Sequence, residues 1–171
     1  SVGQGNWASV PWIALLNTKI TRSTQEGIYV VFLFSADLSR VFLTLNQGTA
    51  NLVRDFGQRE AQKRLLDVAA NARTLIAGQA AVPLVLDNNI HLGADGLLAR
   101  NYKIGTIAHI DFKTDELPSD ENVDGMLRVL LEAYDQCNDA LQLAQAAAES
   151  ALAPAPPPPE HYGFDLALSE L

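Results

Sequence analysis

The chain has 171 residues, 48% of them hydrophobic and 19% charged, enough for one globular domain with a sizeable core. No apolar run approaches the roughly 18 to 20 residues that span a bilayer, no basic start with an apolar centre marks a secretion signal, and a single cysteine, Cys137, excludes an internal disulfide and fits a reducing cytoplasm. The net charge of −8 would count against nucleic acid if it were evenly spread, but residues 1–113 carry eleven Lys and Arg against eight acids, a net of +3, while residues 114–171 carry Arg128 against twelve acids, a net of −11.

The chain opens on Val2 to Trp12, which places both tryptophans, Trp7 and Trp12, behind a Gly3-Gln4-Gly5 turn and across Pro11. Glycine lets a backbone turn sharply or approach a ligand closely, and proline gives the ring behind it a fixed direction. Ser1-Val2 leads straight into the turn, so a further segment is expected ahead of it. Val10 to Leu16 reads equally as a short buried strand or a helical turn. The polar run from Asn17 to Gly27, with Lys19 and Arg22, reads as an exposed loop.

Ile28–Phe34 and Val41–Leu45 are rich in β-branched and aromatic residues, and Ser35 to Arg40 makes a hairpin connection between two antiparallel strands. Alternation puts Tyr29, Val31 and Leu33 on one face and Val30, Phe32 and Phe34 on the other, with one face expected in the core. From Asp55 to Ile76 the period becomes helical, with Phe56, Ala61, Leu65, Val68, Ala69, Ala72, Leu75 and Ile76 on an apolar stripe and Gly78 as a stop. Ala81 to Leu86 has strand composition, Gly93 and Gly96 loosen the segment after it, and Thr106 to Phe112 reads as another strand. A long helix follows Pro118-Ser119 and runs to about Leu152, with Val123, Met126, Leu127, Leu130, Leu131 and Tyr134 on its apolar stripe. The expected division is a domain over 1–152, a proline-rich spacer over 153–161, and over 162–171 the start of a further segment.

Catalytic signatures are missing from this sequence. His91, His109 and His161 are not at zinc-ligand spacing, no phosphate loop or nucleophile elbow is present, and Cys137 has no neighbouring histidine. Asp111 and Lys113 around Phe112 offer a weak nuclease reading, which requires metal-dependent cleavage. Trp12 and Tyr29 can be read as ordinary core residues or as two walls of a pocket for a flat ring, where base stacking is worth roughly 1 to 3 kcal/mol.

Gly3-Gln4-Gly5-Asn6-Trp7-Ala8-Ser9-Val10-Pro11-Trp12, followed by Gly27-Ile28-Tyr29-Val30-Val31-Phe32-Leu33-Phe34, an aspartate-containing turn and a second strand, resembles the McrB N-terminal-like domain family of methylcytosine-specific restriction proteins. The specific match covers residues 2–48. The fold read from the elements is α+β, a small, bent, mainly antiparallel sheet with flanking helices. The resemblance implies a non-catalytic module, without cofactor or metal, that binds double-stranded DNA and flips a modified base into an aromatic pocket. A downstream motor or nuclease, on another domain or subunit, does the cutting.

Carried over by position, Trp12 and Tyr29 match the pocket walls, with a further wall from Tyr102 or Ile104, and Leu33 matches a side chain that wedges into the stack. Gly3, Gln4, Gly5, Asn6 and Ser9 are expected at the groove, Gln4 standing where the best-known member of that family has a tyrosine. Lys19, Arg22, Arg40, Arg100 and Lys103 are candidates for phosphate contacts. The base read is methylcytosine or another modified base, including methylated adenine. The competing reading is a protein-interaction or assembly module of a defence complex that has lost DNA binding.

Overall fold

A computed structural model describes residues 9–78 and 84–152. The Gly3 to Asn6 turn, Trp7, the first part of the 81–86 segment and the whole stretch 153–171 lie outside the described residues.

Four strands make one antiparallel sheet in the order β1-β2-β3-β4: Trp12–Leu15, Ile28–Phe34, Arg40–Gln47 and Ala108–Lys113. The Val10 to Leu16 run thus resolves as a strand. It does so by pairing Trp12 with Leu33 and Leu15 with Val30, a tertiary constraint that a short apolar run does not reveal by itself. The β2–β3 hairpin pairs Ile28 with Gln47 through to Phe34 with Val41. On the far side of β4, Val85 makes an isolated antiparallel bridge to His109.

Three helices cover the sheet: α1 over Ala50–Ile76, α2 over Leu97–Gly105 and α3 over Asp120–Leu152. Ala61, Leu65, Ala69, Ala72 and Ile76 form the buried stripe of α1. Phe56, expected on that stripe, is exposed instead, because Gly57 at φ 75° breaks the helix immediately after it and turns the first segment out of phase. Its ring lies 3.8 Å from the Arg64 guanidinium, a cation–π contact.

Both faces of the sheet are covered, where one was expected. Ile28, Val30, Leu43 and Leu45 join Ala69, Ile76, Leu130 and Tyr134 in a core between the sheet, α1 and α3. Tyr29, Val31, Leu33 and Phe42 join Val10, Ile90, Leu92 and Ala99 in a second core. Each fully buried leucine contributes about 1.5 to 3 kcal/mol over its exposed state, so the alternation of β2 stabilises two layers at once.

Candidate functional site: a neutral aromatic pocket on the second face

Where the second core meets α2 it opens into a cavity of about 120 Å³, far above the roughly 10–15 Å³ that admits one water. Strand residues Trp12, Tyr29 and Val31 form its floor, and Leu98 and Tyr102 of α2 close one side. Thr24 and Gln25 from the β1–β2 loop and Thr49 and Ala50 at the start of α1 close the rest. Three aromatic residues separated by up to ninety positions therefore converge, and the register explains two of them. Trp12 pairs with Leu33 and Ala14 with Val31, so Trp12 shares the face of Tyr29 and Val31.

Tyr102 reaches the pocket because α2 is bolted to β3 by buried amides. Asn46, fully buried beside Tyr29 in the register, donates from Nδ2 to the Tyr102 carbonyl and to Thr106 Oγ1, each at 3.1 Å. Its Oδ1 accepts the Gln47 N–H at 2.8 Å, and Gln47 Nε2 donates to the Leu65 carbonyl at 2.9 Å and the Gly105 carbonyl at 3.3 Å. Such groups are costly to bury unless bonded. Gly105 permits the approach, since a Cβ there would sit 2.7 Å from Asn46 Oδ1.

The loop wall is fixed in a similar way. Gly48 N–H donates to the Gly27 carbonyl at 2.8 Å and Asn51 N–H to the Gln25 carbonyl at 3.2 Å. A Cβ at Gly48 would collide with the backbone of Glu26, so only glycine allows this packing.

Among the described residues no charged side chain lines the cavity. Burial raises the pKa of Tyr29 strongly, with the neighbouring Tyr102 adding to it, and burial likewise raises that of Tyr102. Both phenols therefore stay protonated across the neutral range.

Of the residues expected at the site, Trp12, Tyr29 and Tyr102 line the pocket. Ile104 is half-buried and does not line it, because two residues on from Tyr102 in a helix points to a different side. Leu33 has no exposed surface and packs in the second core beside Tyr29 and Phe42. The wedge role expected of it is thereby corrected, since entering a base stack would require the core to open. Shared strand parity with Tyr29 placed it on the right face but did not make it accessible. Ser9 is exposed.

Lys19 and Arg22 are exposed on the loop that also carries Thr24 and Gln25, and Arg100 and Lys103 are exposed on the helix that carries Leu98 and Tyr102. Arg40 stands apart. It begins β3 at the opposite end from Asn46, is paired with Asp111, and lies 5.9 Å from the Phe42 ring. This ion pair separates it from the bases on the pocket walls and engages the Asp111 carboxylate of the nuclease reading. Among the described residues no group of three or more His, Cys, Asp or Glu is placed to hold a metal ion, and no helix is long and apolar enough to cross a membrane.

The pocket residues not anticipated as such are Thr24, Gln25, Val31, Thr49, Ala50 and Leu98. The spacing of Leu98 and Tyr102, four apart, is the signal that was available for the α2 pair. The family model described as MrcB-like, N-terminal domain, matches residues 1–139. Neither a curated protein nor a solved structure matches the chain.

Proposed function

The chain belongs to the family of MrcB-like N-terminal domains, and on that premise we propose that it is the modified-DNA recognition module of a modification-dependent, type IV-like restriction system of the cytoplasm. It binds a duplex carrying a modified base and takes that base into the pocket, while a motor or nuclease on another domain or subunit cleaves. The observation that carries this reading is the convergence of Trp12, Tyr29 and Tyr102 on one uncharged cavity, with exposed bases on two of the elements that wall it.

Lys19, Arg22, Arg100 and Lys103 contact phosphates and fix the duplex without reading sequence. Extrusion of the base costs a few kcal/mol, offset by stacking on the pocket rings at roughly 1 to 3 kcal/mol. The apolar methyl group of the base adds contact with the aromatic and aliphatic lining. With Leu33 buried, the gap in the stack falls to the Gly3, Gln4 and Gly5 turn with Asn6 and Ser9, and to Leu97 and Leu98, which are 57% and 50% exposed at the start of α2.

The test is equilibrium binding to duplexes that differ at one site, carrying unmodified cytosine, methylcytosine, hydroxymethylcytosine or methylated adenine, with wild type, Trp12→Ala and Tyr102→Ala. A preference for one modified duplex, lost in both variants, is expected. Wild-type protein that binds all four duplexes alike, or folded variants that keep the preference, would overturn the reading.

A further inference from the structure

Stacking cannot distinguish one base from another, since every base has a π-face; discrimination needs polar groups at the base edge. The pocket has such groups on its loop side, in Thr24, Gln25 and Thr49. Gln25 is held by its backbone, the N–H donating to Ser23 Oγ at 3.1 Å and the carbonyl accepting from Asn51 N–H at 3.2 Å. Its side-chain amide, by contrast, has no hydrogen-bond partner among the described residues. Thr49 occupies the N-cap of α1, yet its hydroxyl makes no capping bond, and the Thr24 hydroxyl is likewise without a described partner. A threonine at an N-cap ordinarily spends its oxygen on the helix; here it is left available beside the cavity.

Among the described residues the lining contains no acidic and no basic side chain. A protonated or anionic ring would enter without a counter-charge, at a high desolvation cost. What fits is a neutral ring with a donor beside an acceptor, the pattern a carboxamide matches with two hydrogen bonds at once.

We propose that Gln25 is the residue that holds the polar edge of the inserted base, its carboxamide pairing with the donor–acceptor edge of a neutral ring while the Thr24 and Thr49 hydroxyls take the remaining polar positions. This rests on the base-flipping reading. Methylated cytosine, unmodified cytosine and methylated adenine all present an amino group beside a ring nitrogen, so the apolar lining selects the methyl group, and Gln25 pairs with the edge only of a base that has entered. An unmodified base stays in the duplex, which is then held by phosphate contacts alone.

Gln25 is exposed, so substitution spares the core. Binding of wild type, Gln25→Ala, Gln25→Glu and Trp12→Ala is measured on the same modified and unmodified duplexes at one salt concentration, with thermal midpoints recorded for each protein. Gln25→Ala is expected to reduce the preference for the favoured modified duplex by about tenfold, with unchanged midpoint and unchanged affinity for the unmodified duplex. Gln25→Glu keeps the shape and loses the donor, and is expected to lose the preference as well. A preference retained in Gln25→Ala but lost in Trp12→Ala overturns the role of Gln25 and leaves base flipping standing. Equal weakening on modified and unmodified duplexes also overturns it, since that is the mark of a backbone contact. No preference in the wild type overturns both.

Discussion

Ile28 and Val30 point from β2 into a core closed by α1 and α3, whereas Tyr29 and Val31, one residue out of step, point to a face where the core gives way to a cavity. The first face is filled by aliphatic side chains with Tyr134 and Cys137, and burial pushes the Cys137 thiol up to about 11, an inert packing group. The second carries aromatic rings, a buried amide clamp and spare hydroxyls. A strand covered on both sides can thus divide its labour by parity, one face packed closed and the other forming the rigid floor of a cavity.

The sharpest way to break this division is to empty the first face. Leu45 is fully buried there, and Leu45→Ala is expected to cost about 2 to 5 kcal/mol of unfolding free energy, read by urea denaturation. At temperatures where the variant remains folded, its preference for a modified duplex should match wild type. A selective loss of that preference in folded protein would show that the two faces are not separable.

Asn46 tests the link between them. Asn46→Ala removes the donor to Tyr102 and Thr106 and strands the Gln47 N–H, an expected cost of about 1 to 3 kcal/mol. Because the lost bonds position α2, binding of a modified duplex should fall more than binding of an unmodified one. Equal losses on both duplexes would make Asn46 a purely structural amide.

Trp12→Ala should show the reverse pattern from Leu45→Ala. Trp12 is only partly buried at the edge of the sheet, so stability should change less than in the core variant, while modified-duplex binding weakens by about 1 to 3 kcal/mol. Smaller again is the effect of a single base on the rim. Arg100→Ala or Lys103→Ala should weaken binding uniformly across duplexes and reduce the slope of log affinity against log salt by about 1, measured by titration at several salt concentrations.

The parity of β2 was legible from Ile28–Phe34 alone, and that strand has the bounds its composition predicts. The second layer was not, because what covers Tyr29 and Leu33 comes from β1, from Ile90 and Leu92, and from α2, and no local pattern announces a partner distant in sequence. Helix α2 itself was missed: it is nine residues long, starts with two exposed leucines and ends on Gly105, so it has no long apolar stripe to read. The aromatic walls Trp12, Tyr29 and Tyr102 were reachable by resemblance, whereas Gln25 and Thr49 sit in a loop and at a helix start, where sequence carries little directional information. Solvent access also escaped, since alternation assigns a face and not a depth, as Leu33 shows; the pairing of Arg40 with Asp111 across the β3–β4 register escaped because it joins residues 71 positions apart.

The smallest expected effect lies on neither face. Asp37, in the β2–β3 turn, has its pKa lowered from 3.8 to about 2, chiefly by the Ser35 hydroxyl donating to it and then by the Ser39 N–H and hydroxyl. With a folded-state pKa below the unfolded one, the unfolded chain takes up the proton first as pH falls. The contribution of this carboxylate is therefore complete above the unfolded pKa and is lost as pH falls through the folded pKa. Asp37→Asn should flatten the dependence of stability on pH between 3.8 and about 2, read from thermal midpoints across an acid series. It should leave duplex binding at neutral pH untouched, because the turn caps the end of the hairpin away from Asn46 and the start of α1. If Asp37→Asn instead changes the preference for a modified duplex, the hairpin turn is part of the DNA-facing surface, and the pocket is not the boundary of the functional face.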